Sequence, residues 1–231
     1  MHNILLTSSL LTKEITDELE RFSIKCRKIG KYQGINNETA YHPDMLFYVL
    51  ADGNILYPKG LNVSHLLDTN RTYIESTEKI TAVYPYDCRL NCLKTDKTLI
   101  CGKLPMPEIL CDAEKAGLEI ITVKQSYVRC STVTLNRQAF ITSDTGIASA
   151  LKALGCDVLN VSNDGIILNG YDNGFIGGCL MFCDGSLAAF SGRIEAHRDY
   201  AAMKAFSQNH GIKLYSLCAN RLYDYGGAIS L

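Results

Sequence analysis

The stretch Lys124–Ile141, KQSYVRCSTVTLNRQAFI, joins a polar loop to two strand-like runs, 132–135 and 139–142, across a short polar turn. Cys130 sits at the loop-to-strand junction between Arg129 and Ser131. A thiol beside a fixed cation ionises more readily, because the positive charge favours thiolate over thiol. The pattern therefore predicts thiolate character at Cys130. The same layout recurs along the chain, and one copy carries His42 at the corresponding junction.

Working outward, DMLFYVLADGNILY (Asp44–Tyr57) places two apolar runs around Asp52-Gly53-Asn54, a hairpin signal. GCLMFCDGSLAAFS (Gly178–Ser191) repeats it, and Asn91–Cys101 and Ser131–Thr142 are further versions. Helices are expected over 64–75, 107–116, 145–154 and 194–209, three of them followed by Gly117, Gly155 or Gly211 as C-caps. Third apolar runs follow at 80–84, 118–123, 158–161 and 212–217. The unit reads strand–strand–helix–strand.

A fifth copy is split between the chain ends. It has a run at 3–7, a helix at 12–21 and a third run at 23–29, but no first strand. Tyr225-Gly226-Gly227-Ala228-Ile229 matches Ile176-Gly177-Gly178-Cys179-Leu180 and supplies it. Aligning Leu46, Leu93, Val133, Leu180 and Ile229 gives spacings of 47, 40, 47 and 49 residues. Repeats of this period point to one α/β domain spanning 1–231, a closed ring of five ββαβ units with the C-terminal strand paired to the N-terminal unit. The alternative, an ordinary α+β domain, leaves the recurrence of Gly-Gly before two first strands unexplained.

The junctions would face the ring axis. They contain His42 and Asp44, Arg89 and Asn91, Arg129 and Cys130, Cys179, and Asp224. A thiol, an imidazole and a carboxylate together are a nucleophile, an acid/base and an orienting group. Cys130, His42 and Asp44 are the candidate catalytic set. Arg89, Asn91, Arg129, Cys179 and Asp224 are candidate substrate contacts.

The five-unit layout resembles the pentein fold of the guanidino-group-modifying enzymes. His42-Pro43-Asp44-Met45-Leu46-Phe47 resembles the HxDxxF stretch of the arginine-deiminase branch, with its catalytic His and substrate-binding Asp. Arg129-Cys130-Ser131-Thr132 resembles the segment around that branch's nucleophile, and Phe175-Ile176-Gly177-Gly178-Cys179 its EGGD strand start. The chain also resembles an uncharacterised bacterial family of this fold. The resemblance implies a cysteine-dependent hydrolase or transferase that cleaves a C–N bond of an amidine-like or amide-like small molecule through a covalent thiol intermediate. It implies neither a metal nor an organic cofactor. Where the branch has carboxylates around Gly-Gly, this chain has Ile176 and Cys179, which weakens guanidinium recognition. Glu14, Glu195 and Asp224 are the candidates to replace the missing carboxylate. A non-catalytic ring, like the ribosome anti-association factors that share the fold, and a small-molecule binder without chemistry are the rival readings.

Composition narrows the partners. A net charge of −1, from 23 basic and 24 acidic residues, gives no steering towards nucleic acid or an anionic membrane. No apolar run approaches the ~20 residues of a membrane helix. The N-terminal MHNILLTSSLLTKEI has neither a basic n-region nor a cleavage pattern. The ten cysteines are scattered, and neither Cys88/Cys92 nor Cys179/Cys183 has a nearby His or CxxC partner. Reduced thiols in a cytoplasmic protein are therefore expected, with a small-molecule ligand, no nucleic acid and no membrane; a homo-oligomer is left open.

Overall fold

The computed structural model describes residues 3–66 and 71–231. Among them lie five three-stranded sheets. The first contains β1 (Asn3–Ser8), β2 (Ile24–Ile29) and β15 (Ala228–Ser230); the second, β3 (Tyr48–Val49), β4 (Ile55–Tyr57) and β5 (Tyr73–Glu75). The third contains β6 (Leu93–Lys94), β7 (Thr98–Cys101) and β8 (Glu119–Thr122); the fourth, β9 (Thr132–Thr134), β10 (Ala139–Thr142) and β11 (Asp157–Asn160). β12 (Leu180–Cys183), β13 (Leu187–Phe190) and β14 (Lys213–Ser216) complete the set. In each sheet the middle strand runs antiparallel to one neighbour and parallel to the other.

The helices begin and end where local chemistry dictates. Thr12 caps α1 (Lys13–Arg21) by accepting from Ile15 N, and α1 buries Ile15 and Leu19, one turn apart. Pro107 opens α3 (Pro107–Lys115), where its missing N–H costs nothing. Asp144 caps α4 (Thr145–Ala153) through Ile147 N at 2.8 Å. α5 spans Tyr200–Asn209, with a separate 3-10 turn at Ile194–Ala196 ahead of it. Gly117, Gly155 and Gly211 have φ of +69°, +79° and +73°, the left-handed ends that the sequence predicted. No helix among the described residues is long and apolar enough to cross a membrane.

The second unit departs from expectation. Instead of a helix over 64–75, Ser64–Leu66 is one 3-10 turn and Tyr73–Glu75 is the third strand, β5; residues 67–70 lie outside the described residues. The β-branched and aromatic pair Tyr73-Ile74 favours a strand, and Ile55 N donates to Thr72 O (2.8 Å), drawing the segment onto β4. The run at 80–84 is accordingly loop. The first strand also starts late, because Pro43–Leu46 forms a short helical turn, α2, which places Leu46 in a turn rather than a strand.

The split unit is as expected: β15 lies antiparallel to β1, with Leu6 opposite Ile229. Apolar packing runs from each unit to the next. Leu6, Phe47 and Ile109 share a cluster across units 1 to 3, and Ile100 and Phe140 belong to one cluster across units 3 and 4. Ile141 and Phe190 share a cluster across units 4 and 5, and Ile15 and Met181 share one between units 1 and 5.

The junctions are also linked by hydrogen bonds. Asp44 N donates to Gly226 O (3.1 Å), and Asn91 Nδ2 to Asp44 O (3.0 Å). Cys130 N donates to Asn91 Oδ1 (3.1 Å), Gly178 N to Cys130 O (3.2 Å) and Gly227 N to Gly178 O (2.7 Å). The five sheets remain separate ladders, but their junctions form one cycle of bonds.

Deleting 226–231 would remove β15, expose the β1 edge and break that cycle at Asp44 and Gly178. The truncated chain is expected to melt roughly 10 °C or more below the full chain, or to aggregate, since each ~1 kcal/mol lost moves Tm by about 2–4 °C at this size. Equal melting in a thermal scan would refute the closing role of the C-terminal strand.

Candidate active site

The turn α2 decides how the His42-Pro43-Asp44 motif is presented. Pro43 fixes the first helical φ, and Phe47 N closes the turn on Pro43 O at 2.9 Å. On a strand, residues i and i+2 share a face; on a helical turn they point apart, at about 100° per residue. His42 thus lines a cavity of about 140 Å³ together with Cys130, Asp224, Thr39, Met45, Tyr127, Leu168, Tyr171, Asn173 and Phe175. Asp44 lines a neighbouring cavity of about 150 Å³ with Arg129, Thr132 and Gly177.

The thiol and the imidazole, 88 residues apart in sequence, meet in one cavity. Asn91 Nδ2 donates to Cys130 Sγ at 2.9 Å, and the thiol lies 3.9 Å from Met45 Sδ. Asn91 Oδ1 accepts from both Arg129 N (2.7 Å) and Cys130 N (3.1 Å), so one buried amide fixes the backbone and the sulfur together. His42 Nδ1 is 3.7 Å from Asp224 Oδ1, both side chains being buried. Asp224 is itself anchored by Phe175 N (2.8 Å) and Gly226 N (2.9 Å). Its pKa is nevertheless raised, chiefly by burial and further by the Asp44 charge, against the opposing attraction of His42.

The electrostatics at Cys130 reverse the expectation from Arg129. The thiol is held well above its ordinary pKa, first by burial, then by the charges of Asp44 and Asp224; Asn91 opposes them weakly. Neither carboxylate oxygen of Asp44 makes a hydrogen bond of good geometry, although the group is 2% exposed. Arg129 donates to Ala228 O (2.9 Å) and faces the Asp44 cavity rather than the thiol cavity. Its own pKa is lowered by burial, with Asp44 the leading opposing influence. Burial and the two carboxylates thus favour thiol over thiolate at this position.

Two other sequence candidates do not line the cavity. Arg89 pairs with Glu78 and donates to Leu104 O (3.1 Å). Cys179 is buried among Val133, Ile176 and Phe190, with its thiol directed to Phe175 O at 3.5 Å. Of the three possible replacement carboxylates, Glu14 bonds Asn220 and Glu195 bonds Ser216, both at exposed positions; Asp224 lines the cavity. The Gly-Gly pair that faces His42 is therefore Gly226-Gly227, two residues after Asp224, not Gly177-Gly178. A Cβ on Gly226 (φ +76°) would come within 2.3 Å of His42 Cβ.

The aromatic wall was not read from the sequence. Tyr84, Tyr127 and Phe175 form a ladder with ring centroids 5.6 and 5.7 Å apart. The Tyr127 hydroxyl is tied to Asp87, so the ring, not the hydroxyl, is what Tyr127 offers the cavity. Among the described residues, no cluster of three or more His, Cys, Asp or Glu side chains could hold a metal ion.

Solved structures share this architecture at low identity. An amidinotransferase of the saxitoxin biosynthetic pathway from Microseira wollei superposes with a TM-score of 0.56 at 10% identity, covering 91% of this chain and 75% of that one. Inosamine-phosphate amidinotransferase from Streptomyces griseus gives 0.53 at 12% identity, covering 94% and 78%. DDAH from Pseudomonas aeruginosa, complexed with citrulline, gives 0.52 at 7% identity, covering 94% and 93%. A search of curated protein sequences returns no match. Residues 6–229 match a family of unknown function, DUF6873, so the chain belongs to that family and carries the pentein fold.

Proposed function

We propose that this protein is a cysteine-dependent hydrolase or transferase acting on a C–N bond of an amidine-like or amide-like small molecule, in one five-bladed α/β propeller whose blades close around the junction cycle. The observation that carries the reading is that Cys130, His42 and Asp224 line one cavity, with Asn91 holding the sulfur. The names of two proteins sharing the fold, both amidinotransferases, support it.

In this mechanism Cys130 Sγ adds to the amidine carbon while its proton passes to His42. His42 then protonates the leaving amine as the C–N bond breaks, leaving on Cys130 a covalent thiouronium from a guanidine or a thioimidate from an amidine. A water, or an amine in a transferase, loses a proton to His42 and adds to the same carbon. The C–S bond breaks and the sulfur recovers the proton. Asp224 orients the His42 ring and stabilises its protonated form; Asn91 positions the thiol. No step requires a metal or an organic cofactor.

The raised thiol pKa also favours a second reading, a pocket that binds but does not react. Incubating the protein with N-substituted guanidines and amidines, followed by intact mass measurement, separates the two. The expected outcome is a covalent adduct localised to Cys130, absent in Cys130→Ala, with His42→Ala slowing turnover by about 10²–10⁴-fold. Binding without adduct or product across the panel would leave only the binding role.

Thiol alkylation checks the electrostatics. At neutral pH Cys130 should alkylate more slowly than the exposed Cys111, with a rate that climbs as pH rises towards the elevated thiol pKa. Asp44→Asn removes a charge that opposes thiolate and should raise the Cys130 rate several-fold, while Cys111 is unchanged. An unaltered Cys130 rate would mean that Asp44 does not act on the thiol.

A further inference from the structure

The walls of the thiol cavity carry information about what it accepts. The following rests on the amidine reading above and narrows it. We propose that the cavity takes a small amidinium or guanidinium cation bearing an apolar substituent, in preference to an amino acid such as arginine.

The charge of the reacting end follows from the buried carboxylates. Asp224 lines the cavity, is 1% exposed and lies 3.7 Å from His42 Nδ1, while Asp44 adds a second buried carboxylate in the neighbouring cavity. A buried carboxylate in the cavity wall favours an incoming cation with N–H donors over a neutral amide. A planar amidinium supplies both the charge and the donors.

The rest of the ligand meets a different surface. Met45, Leu168, Tyr127 and Phe175 present thioether, aliphatic and aromatic groups, and among the described residues no Lys or Arg lines the cavity. The two arginines nearest in the sequence pattern are engaged elsewhere, Arg89 with Glu78 and Leu104 O, Arg129 with Ala228 O. An α-carboxylate entering here would lose its hydration without gaining a cationic partner. The faces of Tyr127 and Phe175 instead suit a delocalised cation or an apolar chain.

Size points the same way. A cavity of about 140 Å³ is close to the ~150 Å³ that accommodates a benzene molecule in other proteins, and well below the ~300 Å³ lower range of larger ligand sites. An amidinium head with a short chain or a single ring fills it.

Butylguanidine and arginine make the decisive pair, because they differ by the α-amino and α-carboxylate groups alone. Binding to Cys130→Ala is measured by calorimetry, and protection of Cys130 from alkylation in the unaltered protein provides the second readout. Butylguanidine and phenylguanidine are expected to bind at least tenfold more tightly than arginine, and Phe175→Ala to weaken phenylguanidine at least fivefold without altering the melting temperature by more than a few degrees. Arginine binding as tightly as butylguanidine would overturn the specificity while leaving the amidine reading intact. Failure of all three to bind or protect would overturn the amidine reading itself.

Discussion

One buried amide holds the junctions in place. Asn91 is fully buried and makes hydrogen bonds with both ends of its side chain. Its nitrogen donates to Asp44 O and to Cys130 Sγ, and its oxygen accepts from the backbone of Arg129 and Cys130. Three units are thereby set at fixed spacing around one side chain. A buried amide pays for its desolvation only when both ends are satisfied, so the position tolerates no apolar substitute of the same shape. An ordinary strand-packing residue would hold two neighbours; this one also determines where the sulfur sits.

Close backbone approach does the rest, and it depends on glycine. A Cβ on Gly178 would lie 1.8 Å from Asp224 Oδ1, and one on Gly177 would fall within 2.4–2.6 Å of three backbone oxygens of the Cys130 segment. On the other side, Gly226 leaves the room that His42 occupies. The two Gly-Gly pairs are therefore spacers that let a carboxylate and an imidazole enter the same small volume. Asp224 gains two backbone N–H donors there, yet burial still raises its pKa. The geometry favours assembly of the site at the expense of comfortable electrostatics.

The repeats were legible because each strand pair and each helix obeys a local period. β10 matches its apolar run residue for residue, and the left-handed glycines after α3, α4 and α5 mark helix ends by backbone chemistry alone. The closing strand was legible because Tyr225–Ile229 carries the same Gly-Gly start as a unit in mid-chain. What failed was the second unit, where Tyr73-Ile74 is too short a run for periodicity to separate strand from helix. The thiol and imidazole were found as strand-start residues. The direction of the thiol's pKa was not, since a sequence shows that Arg129 adjoins Cys130 but not that its guanidinium turns to Ala228 O. Nor does sequence reveal that Pro43 starts a turn that sends His42 and Asp44 to different cavities. Long-range burial, rather than neighbouring charge, sets the chemistry at this junction.

That burial ties reactivity to recognition in the proposed enzyme. Asp44 and Asp224 both oppose ionisation of Cys130, and the Asn91 amide works against them. A bound amidinium would change the sign of the local field, stabilising both carboxylates and the thiolate at once. By linkage the same coupling acts in reverse: the thiolate form binds a cation more tightly than the thiol form does, by the factor through which the cation lowers the thiol's pKa. A neutral amide of equal size gains none of this. Under this proposal the nucleophile would be generated when a correctly charged substrate is present, which would guard one cysteine of ten from adventitious oxidation.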